Sequence, residues 1–208
     1  MELKQKEKLL ENFKKVYFLL SVSELAYAFF VSAGKDKNME KPKIITTKCF
    51  EDFRGWLSVP LDKEIDFHVV QINQGYSKKK FTLRGLHYQE GEYSQAKLIS
   101  CLHGAIFNVA VDLRPGKTYG HAYSEALTFE NQKQMYIPRG FAHGYLTLED
   151  DTLMQWCVDN DFCAEAARAV RYDSDFIWEN ESWPAGKYVI SEKDQNAMIL
   201  DMLVKNKM

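Results

Sequence analysis

The chain is short of the features that settle a protein's class at a glance. Its four cysteines, Cys49, Cys101, Cys157 and Cys163, form no C-x-x-C pair and no zinc-ligand spacing, and a chain of 208 residues needs no disulfide staples. They read as reduced thiols of a cytoplasmic protein. Five prolines, 11 glycines and the lack of any internal repeat or low-complexity tract exclude fibrous, solenoid and disordered classes. An excess of one charge is also missing: 27 Lys and Arg stand against 29 Asp and Glu, for a net charge of −2, and no basic run is interleaved with aromatics. That excludes nucleic acid as a partner and leaves room for a small phosphorylated ligand.

Apolar residues run on at length in one place only. A Lys-rich start (Lys4, Lys6, Lys8, Lys14, Lys15) leads into the stretch from Val16 to Ala33. Glu24 in mid-run, diluted further by Ser21, Ser23 and Ser32, makes this a poor membrane span, because a carboxylate is costly in hydrocarbon. Residues 1–38 are expected to be an amphipathic helical extension that docks on the domain or on a partner subunit; the alternative takes Met39 as the natural start and the leader as dispensable. Residues 39–208 are then long enough for one well-cored domain.

From Lys43 onward, short β-rich runs are punctuated by Gly, Pro and Asn. The pattern predicts strands over Lys43–Thr47, Phe67–Asn73, Ala96–Leu102, Ala105–Leu113, His121–Thr128, Lys133–Ile137, Ala142–Leu148 and Thr152–Val158. Leu98–Leu102 and Ala105–Val111, joined through His103-Gly104, are expected to pair as a tight hairpin. Ser191–Lys205, with serine before Glu192 and apolar Met198, Ile199, Met202 and Leu203 at helical spacing, predicts a capped C-terminal helix. Close, even strand spacing without intervening helices argues for an all-β sandwich or barrel.

Two segments carry most of the chemistry: Leu83-Arg84-Gly85-Leu86-His87-Tyr88-Gln89, and Ile137-Pro138-Arg139-Gly140-Phe141-Ala142-His143-Gly144. Each sets a histidine on a strand beside a glycine, as a small barrel does when it aims imidazoles into its mouth. Arg84 suits a phosphate and His87 can take a proton near neutral pH; a core histidine bonded to backbone carbonyls is the plainer alternative. Pro138-x-Gly140-x-x-His143 matches the second metal-ligand strand of cupin barrels, whose first motif needs an H-x-H pair. Here that run is His87-Tyr88-Gln89, so a cupin-like jelly roll without a metal is expected. Lys97, inside an apolar strand, needs an anion such as an enolate oxygen or a phosphate unless it is simply a solvated edge residue. Asp194 either folds back to orient His87 or serves as an ordinary first-turn acid. His68, His103 and His121 are assigned solvated or structural roles.

Together these residues resemble the dTDP-4-dehydrorhamnose 3,5-epimerase family, metal-free cupins of nucleotide-sugar biosynthesis. The similarity runs from about Lys43 to about Gln195, through Phe53-Arg54-Gly55, Gln71-Ile72-Asn73, Leu83 to Gln89, Val109 to Arg114, Ile137 to Gly144, Trp183-Pro184 and Ser191 to Asp194. The resemblance implies that His87 is the catalytic base, Asp194 its paired carboxylate and Lys97 the cation at the keto oxygen. It implies substrate contacts from Arg54, Gln71, Asn73, Arg84, His143 and Lys193. It further implies a nucleotide-sugar substrate, no cofactor, and a homodimer that exchanges an N-terminal strand.

The chain departs from the family at the proton donor. The family's tyrosine acid falls thirteen residues after His143, on Trp156, and a second family tyrosine falls on Phe162. Family glutamates near Arg54 and Arg168 appear as Val59 and Ala167. Tyr145, Tyr136 or water are the candidate replacements. Two functions follow: an isomerase that epimerises a nucleotide-linked 4-keto-6-deoxy sugar at C3, C5 or one of them alone, or a sugar-nucleotide-binding cupin without catalysis. Retention of His87, Asp194 and Lys97 favours the enzyme, because a binder needs no base with an orienting carboxylate.

Overall fold

The structure, a computed structural model, describes residues 40–61 and 65–200. The extension expected over residues 1–38 lies outside them. In chain order the elements are β1 (Lys43–Thr46), β2 (Lys48–Asp52), β3 (Gly55–Val59), β4 (Gln71–Ser77), β5 (Thr82–Gln89), β6 (Lys97–His103), β7 (Ala105–Asp112), β8 (His121–Thr128), β9 (Lys133–Ile137), β10 (Phe141–Thr147), β11 (Thr152–Val158), β12 (Ala167–Ala169), β13 (Ile177–Trp178), β14 (Val189–Ile190) and α1 (Glu192–Gln195). They build an all-β jelly roll of two facing sheets. One sheet has the order β1-β9-β6-β11-β4; the other runs β12-β5-β10-β7-β8-β13, with β14 also paired to β5. β2 and β3 form a separate hairpin.

The continuous apolar run of β7 follows from burial on both faces. Ile106 and Ala110 pack between the sheets with Ile99, Met135, Phe141 and Met154. Phe107, Val109 and Val111 face the opposite way, into a second cluster roofed by Phe176, Trp178, Trp183 and Leu200. A strand buried on both faces has no polar alternation to show. At the end of β7, Asp112 is fully buried and accepts from Arg114 Nε (2.8 Å), Arg114 Nη2 (2.7 Å) and Thr118 Oγ1 (2.8 Å), so Val109–Arg114 is a structural lock on this end of the barrel.

Three expectations from the sequence change. β6 and β7 are not a hairpin: β6 pairs with β9 and β11, β7 with β8 and β10, and the chain crosses between sheets at Gly104. Gly104 sits at φ +72° and a Cβ there would lie 2.7 Å from Thr152 Oγ1, so the glycine serves a corner pressed against β11. The strand expected over Phe67–Asn73 is displaced to Gln71–Ser77, because Phe67 packs edge-on against Tyr136 instead of extending the strand. The C-terminal helix breaks after one turn, Glu192–Gln195; residues 201–205 of the expected helix lie outside the described residues. Met198 then bridges to Val170 and Leu200 enters the outer cluster, so these apolar residues dock the segment after α1 on the sheet.

One irregularity positions the site. Opposite β10, Arg84 pairs with Tyr145 and His87 with His143, with a register shift between the two pairs. In a regular strand residues 84 and 87 would point to opposite faces. The extra residue, Gly85 at φ +118°, turns both inward, while Leu83 and Leu86 both pack outward. A Cβ on Gly85 would lie 2.6 Å from Gly144 Cα. Gly85→Ala should therefore lower the unfolding free energy by about 2 kcal/mol or more in urea titration, whereas Gly91→Ala, at φ +62° in open space, should cost about half as much.

Candidate active site

The inward alternation of both sheets leaves a cavity of about 1350 Å³. Its walls include His87 and Arg84 from β5, His143 and Tyr145 from β10, Lys97 from β6, Gln71 and Asn73 from β4, Trp156 from β11, and Lys193 and Asp194 from α1. The cavity thus brings together eight of the nine residues singled out in the sequence. The ninth, Arg54, lies at the tip of the β2–β3 hairpin, bound to Asp52, and does not line it.

Asp194 is the centre of the polar arrangement. Ser191 caps α1 by accepting from the Asp194 amide at 3.2 Å. In a capping box the third-position acid returns to the cap residue's N–H. Here its carboxylate turns to β5 instead: Oδ1 meets His87 Nε2 at 2.8 Å and Oδ2 accepts from the Gly85 amide at 3.2 Å. That amide is free because β12 and β14 pair with β5 on either side of it, leaving a gap in the ladder. A carboxylate on Nε2 selects the tautomer protonated there and leaves Nδ1 as the basic nitrogen. Asp194 is buried, whereas the His87 side chain is half exposed to the cavity.

His143 has the contrasting environment. It is buried, and its Nε2 lies 2.8 Å from Asn108 Oδ1. Asn108 Nδ2 donates to Met135 Sδ at 3.2 Å, which orients the amide with its oxygen toward the imidazole. Burial, then the positive charge of Lys97 and of His87, push the His143 pKa well below 6.5, so it stays neutral with its proton on Nε2. Lys97 is itself buried, which lowers its pKa to about 8 against the opposing pull of Asp159; its ammonium donates to Gln95 Oε1 at 3.2 Å. Arg84 donates to Tyr76 O at 3.2 Å, and Arg168, a further basic side chain on the wall, pairs with Glu90 at 3.1 Å. Among the described residues no three His, Cys, Asp or Glu side chains gather as metal ligands.

Asn108 and Arg168 are the site residues that sequence reasoning passed over. A lone amide inside the apolar run Ala105–Val111 was the available signal for Asn108. Of the other histidines, His121 is held by Glu179, His103 lies at the corner before Gly104, and His68 is exposed.

A jelly roll with a carboxylate-held imidazole and a lysine on one cavity defines a cupin-type barrel furnished for acid–base chemistry. The chain belongs to the dTDP-4-dehydrorhamnose 3,5-epimerase family, whose sequence profile matches residues 36–201. It is 40% identical over 162 residues to the dTDP-4-dehydrorhamnose 3,5-epimerase of Sinorhizobium fredii, covering 74% of this chain and 82% of that protein. Against the Escherichia coli protein of the same name the identity is 35% over 183 residues, covering 82% and 95%. Among solved structures it superposes with TM-score 0.73 and 32% identity on the Legionella pneumophila dTDP-6-deoxy-D-glucose-3,5-epimerase in complex with dTDP-4-keto-L-rhamnose, covering 83% and 94%.

The His143 environment makes a pH prediction. The unfolded chain takes up a proton near 6.5 that the folded chain refuses, so this group's contribution is undiminished above that pH and stability is lost as pH falls below it. His143→Gln should show a smaller loss of unfolding free energy between pH 7 and 5 than the parent. Asn108→Asp, which puts a carboxylate on Nε2, should raise the His143 pKa, read by NMR of labelled histidine.

Proposed function

We propose that the protein is an isomerase that epimerises a nucleotide-linked 4-keto-6-deoxy sugar of the dTDP type at C3, C5 or both, acting through residues 39–208. The observation that carries this is the 2.8 Å pair of His87 and Asp194 on the cavity into which Lys97 also projects. The name of the E. coli relative and the dTDP-4-keto-L-rhamnose in the Legionella structure support the substrate class.

The chemistry suits the residues. A ketone at C4 acidifies the hydrogens on C3 and C5. His87 Nδ1 takes one as a proton, and Asp194 stabilises the imidazolium that results. The C–H electron pair moves into a C=C bond, and the carbonyl oxygen becomes an enolate oxygen facing the Lys97 ammonium. Protonation of that carbon from the other face inverts the centre. Electrons are neither gained nor lost, so the reaction calls for no redox cofactor. Arg84 and Lys193 suit a diphosphate, Gln71 and Asn73 suit the amide and hydroxyl edges of a nucleoside, and neutral His143 suits a sugar hydroxyl. The alternative of a binder without catalysis leaves the three-fold anchoring of Asp194 without a purpose.

The same reading makes the protein a homodimer. The β2–β3 hairpin exposes Phe50, Leu57 and Phe53, the last 95% exposed, and the edge strand β4 exposes Ile72 and Tyr76. Exchange of the hairpin between two copies would cover these surfaces and bring Arg54 to the partner's cavity. Four unpaired thiols fit a cytoplasmic setting, and among the described residues no helix is long and apolar enough to cross a membrane.

In heavy water, incubation with a 4-keto-6-deoxy nucleotide sugar should place deuterium at C3, C5 or both. His87→Asn should slow that exchange by about 100-fold or more while ligand binding persists. Exchange should also decline above pH 8, where free Lys97 loses its proton. Undiminished exchange in His87→Asn, or none in the parent, would sink the proposal. Light scattering should return twice the chain's mass, and Phe53→Glu with Leu57→Glu should return the single mass; a monomeric parent would refute the dimer.

A further inference from the structure

Inversion needs a proton delivered opposite His87, and the geometry points to Tyr145 as the acid that delivers it. This assignment rests on the base-catalysed reading above.

Three tyrosines line the cavity, and two are engaged elsewhere. The hydroxyl of Tyr76 is held by Asp151 on the exposed rim. Tyr88 follows His87 on β5, so its ring turns away into the outer cluster, with Glu90 beside its hydroxyl. Tyr136, which lies on β9, packs with Ala96 and Leu98 and does not line the cavity. Tyr145 is 5% exposed, and its hydroxyl has the Ser77 side chain beside it but forms no regular hydrogen bond. Its ring stacks along His143 at 6.4 Å between centroids.

The side chain crosses the barrel. From β10, in the same sheet as His87, the Tyr145 hydroxyl reaches 3.2 Å from where a Cβ on Gly75 would stand, and Gly75 belongs to β4 of the facing sheet. The hydroxyl and the Trp156 ring, which lies 3.3 Å from the same Cβ position, together fill the space the glycine leaves. The base therefore works from the wall formed by β5, and the phenol works from the wall formed by β4. Burial raises the phenol's pKa, and the Arg84 charge and the Ser77 side chain moderate the rise, so the proton is on the oxygen when needed. Trp156 cannot substitute, since an indole N–H does not transfer its proton.

In the step, the enolate's C=C pair forms the new C–H bond with the phenolic hydrogen, the O–H pair stays on the tyrosinate, and the C4 carbonyl reforms. Solvent returns a proton to Tyr145, and His87 releases its own to solvent.

The test is Tyr145→Phe with a 4-keto-6-deoxy nucleotide sugar in heavy water, reading deuterium uptake and inverted product separately. Deprotonation by His87 precedes the acid's role. Uptake with retained configuration should therefore persist within about tenfold of the parent, while inverted product falls by about 100-fold or more. Inverted product at the parent's rate in Tyr145→Phe overturns the assignment. So does joint loss of uptake and inversion, because an acid that acts after enolate formation leaves deprotonation intact. No uptake in the parent overturns the assignment together with the reading beneath it.

Discussion

A single buried carboxylate ties the candidate site to the segment that follows the last strand. Asp194 is 4% exposed, and an ionised carboxylate so placed must find donors or be lost. It finds them on β5, at His87 Nε2 and at the one amide left between the short flanking strands β12 and β14. Those strands, the turn of α1 and the burial of Leu200 bring the carboxylate there. The His87 ring takes its orientation from this anchor, and the glycine irregularity that exposes the amide also swings Arg84 and His87 to one side.

Two imidazoles that face each other in register have opposite surroundings. His87 is half open to the cavity and bears a carboxylate. His143 is buried, bears an amide, and has the Lys97 ammonium nearby. Environments that push like groups apart divide the labour at many acid–base sites. The amide at Asn108 keeps the division firm, since its orientation is set in turn by Met135.

Much of the barrel was legible because inward positions recur at every second residue, and the turns that break the pattern carry glycine. The five strands from β7 to β11 fall where the sequence predicts them to within a residue at either end. Pairing was less legible than strand position. His103-Gly104 has the chemistry of a tight hairpin turn, yet the neighbouring strands leave for different sheets because both faces of β7 find apolar cover. Helical spacing after Ser191 misled in part for a related reason: Met198 bridges to the sheet and interrupts the helix after one turn, which the periodicity of a short run cannot distinguish. The contact between His87 and Asp194 spans 107 positions, and no local pattern encodes it; it entered through family resemblance. Arg54 stands apart from the cavity on an exposed hairpin, a placement that one chain's sequence does not reveal.

The separation of 107 positions has a consequence for biosynthesis. β5 is made early and can join its neighbours in the growing sheet, while the residue that aims its imidazole leaves the ribosome only after all fourteen strands have been translated. Until then the nascent barrel holds an unaimed imidazole and an open ladder gap. Completion of the cavity's polar arrangement is thereby coupled to completion of the fold, and a chain cut short of Asp194 lacks the anchor for the His87 ring.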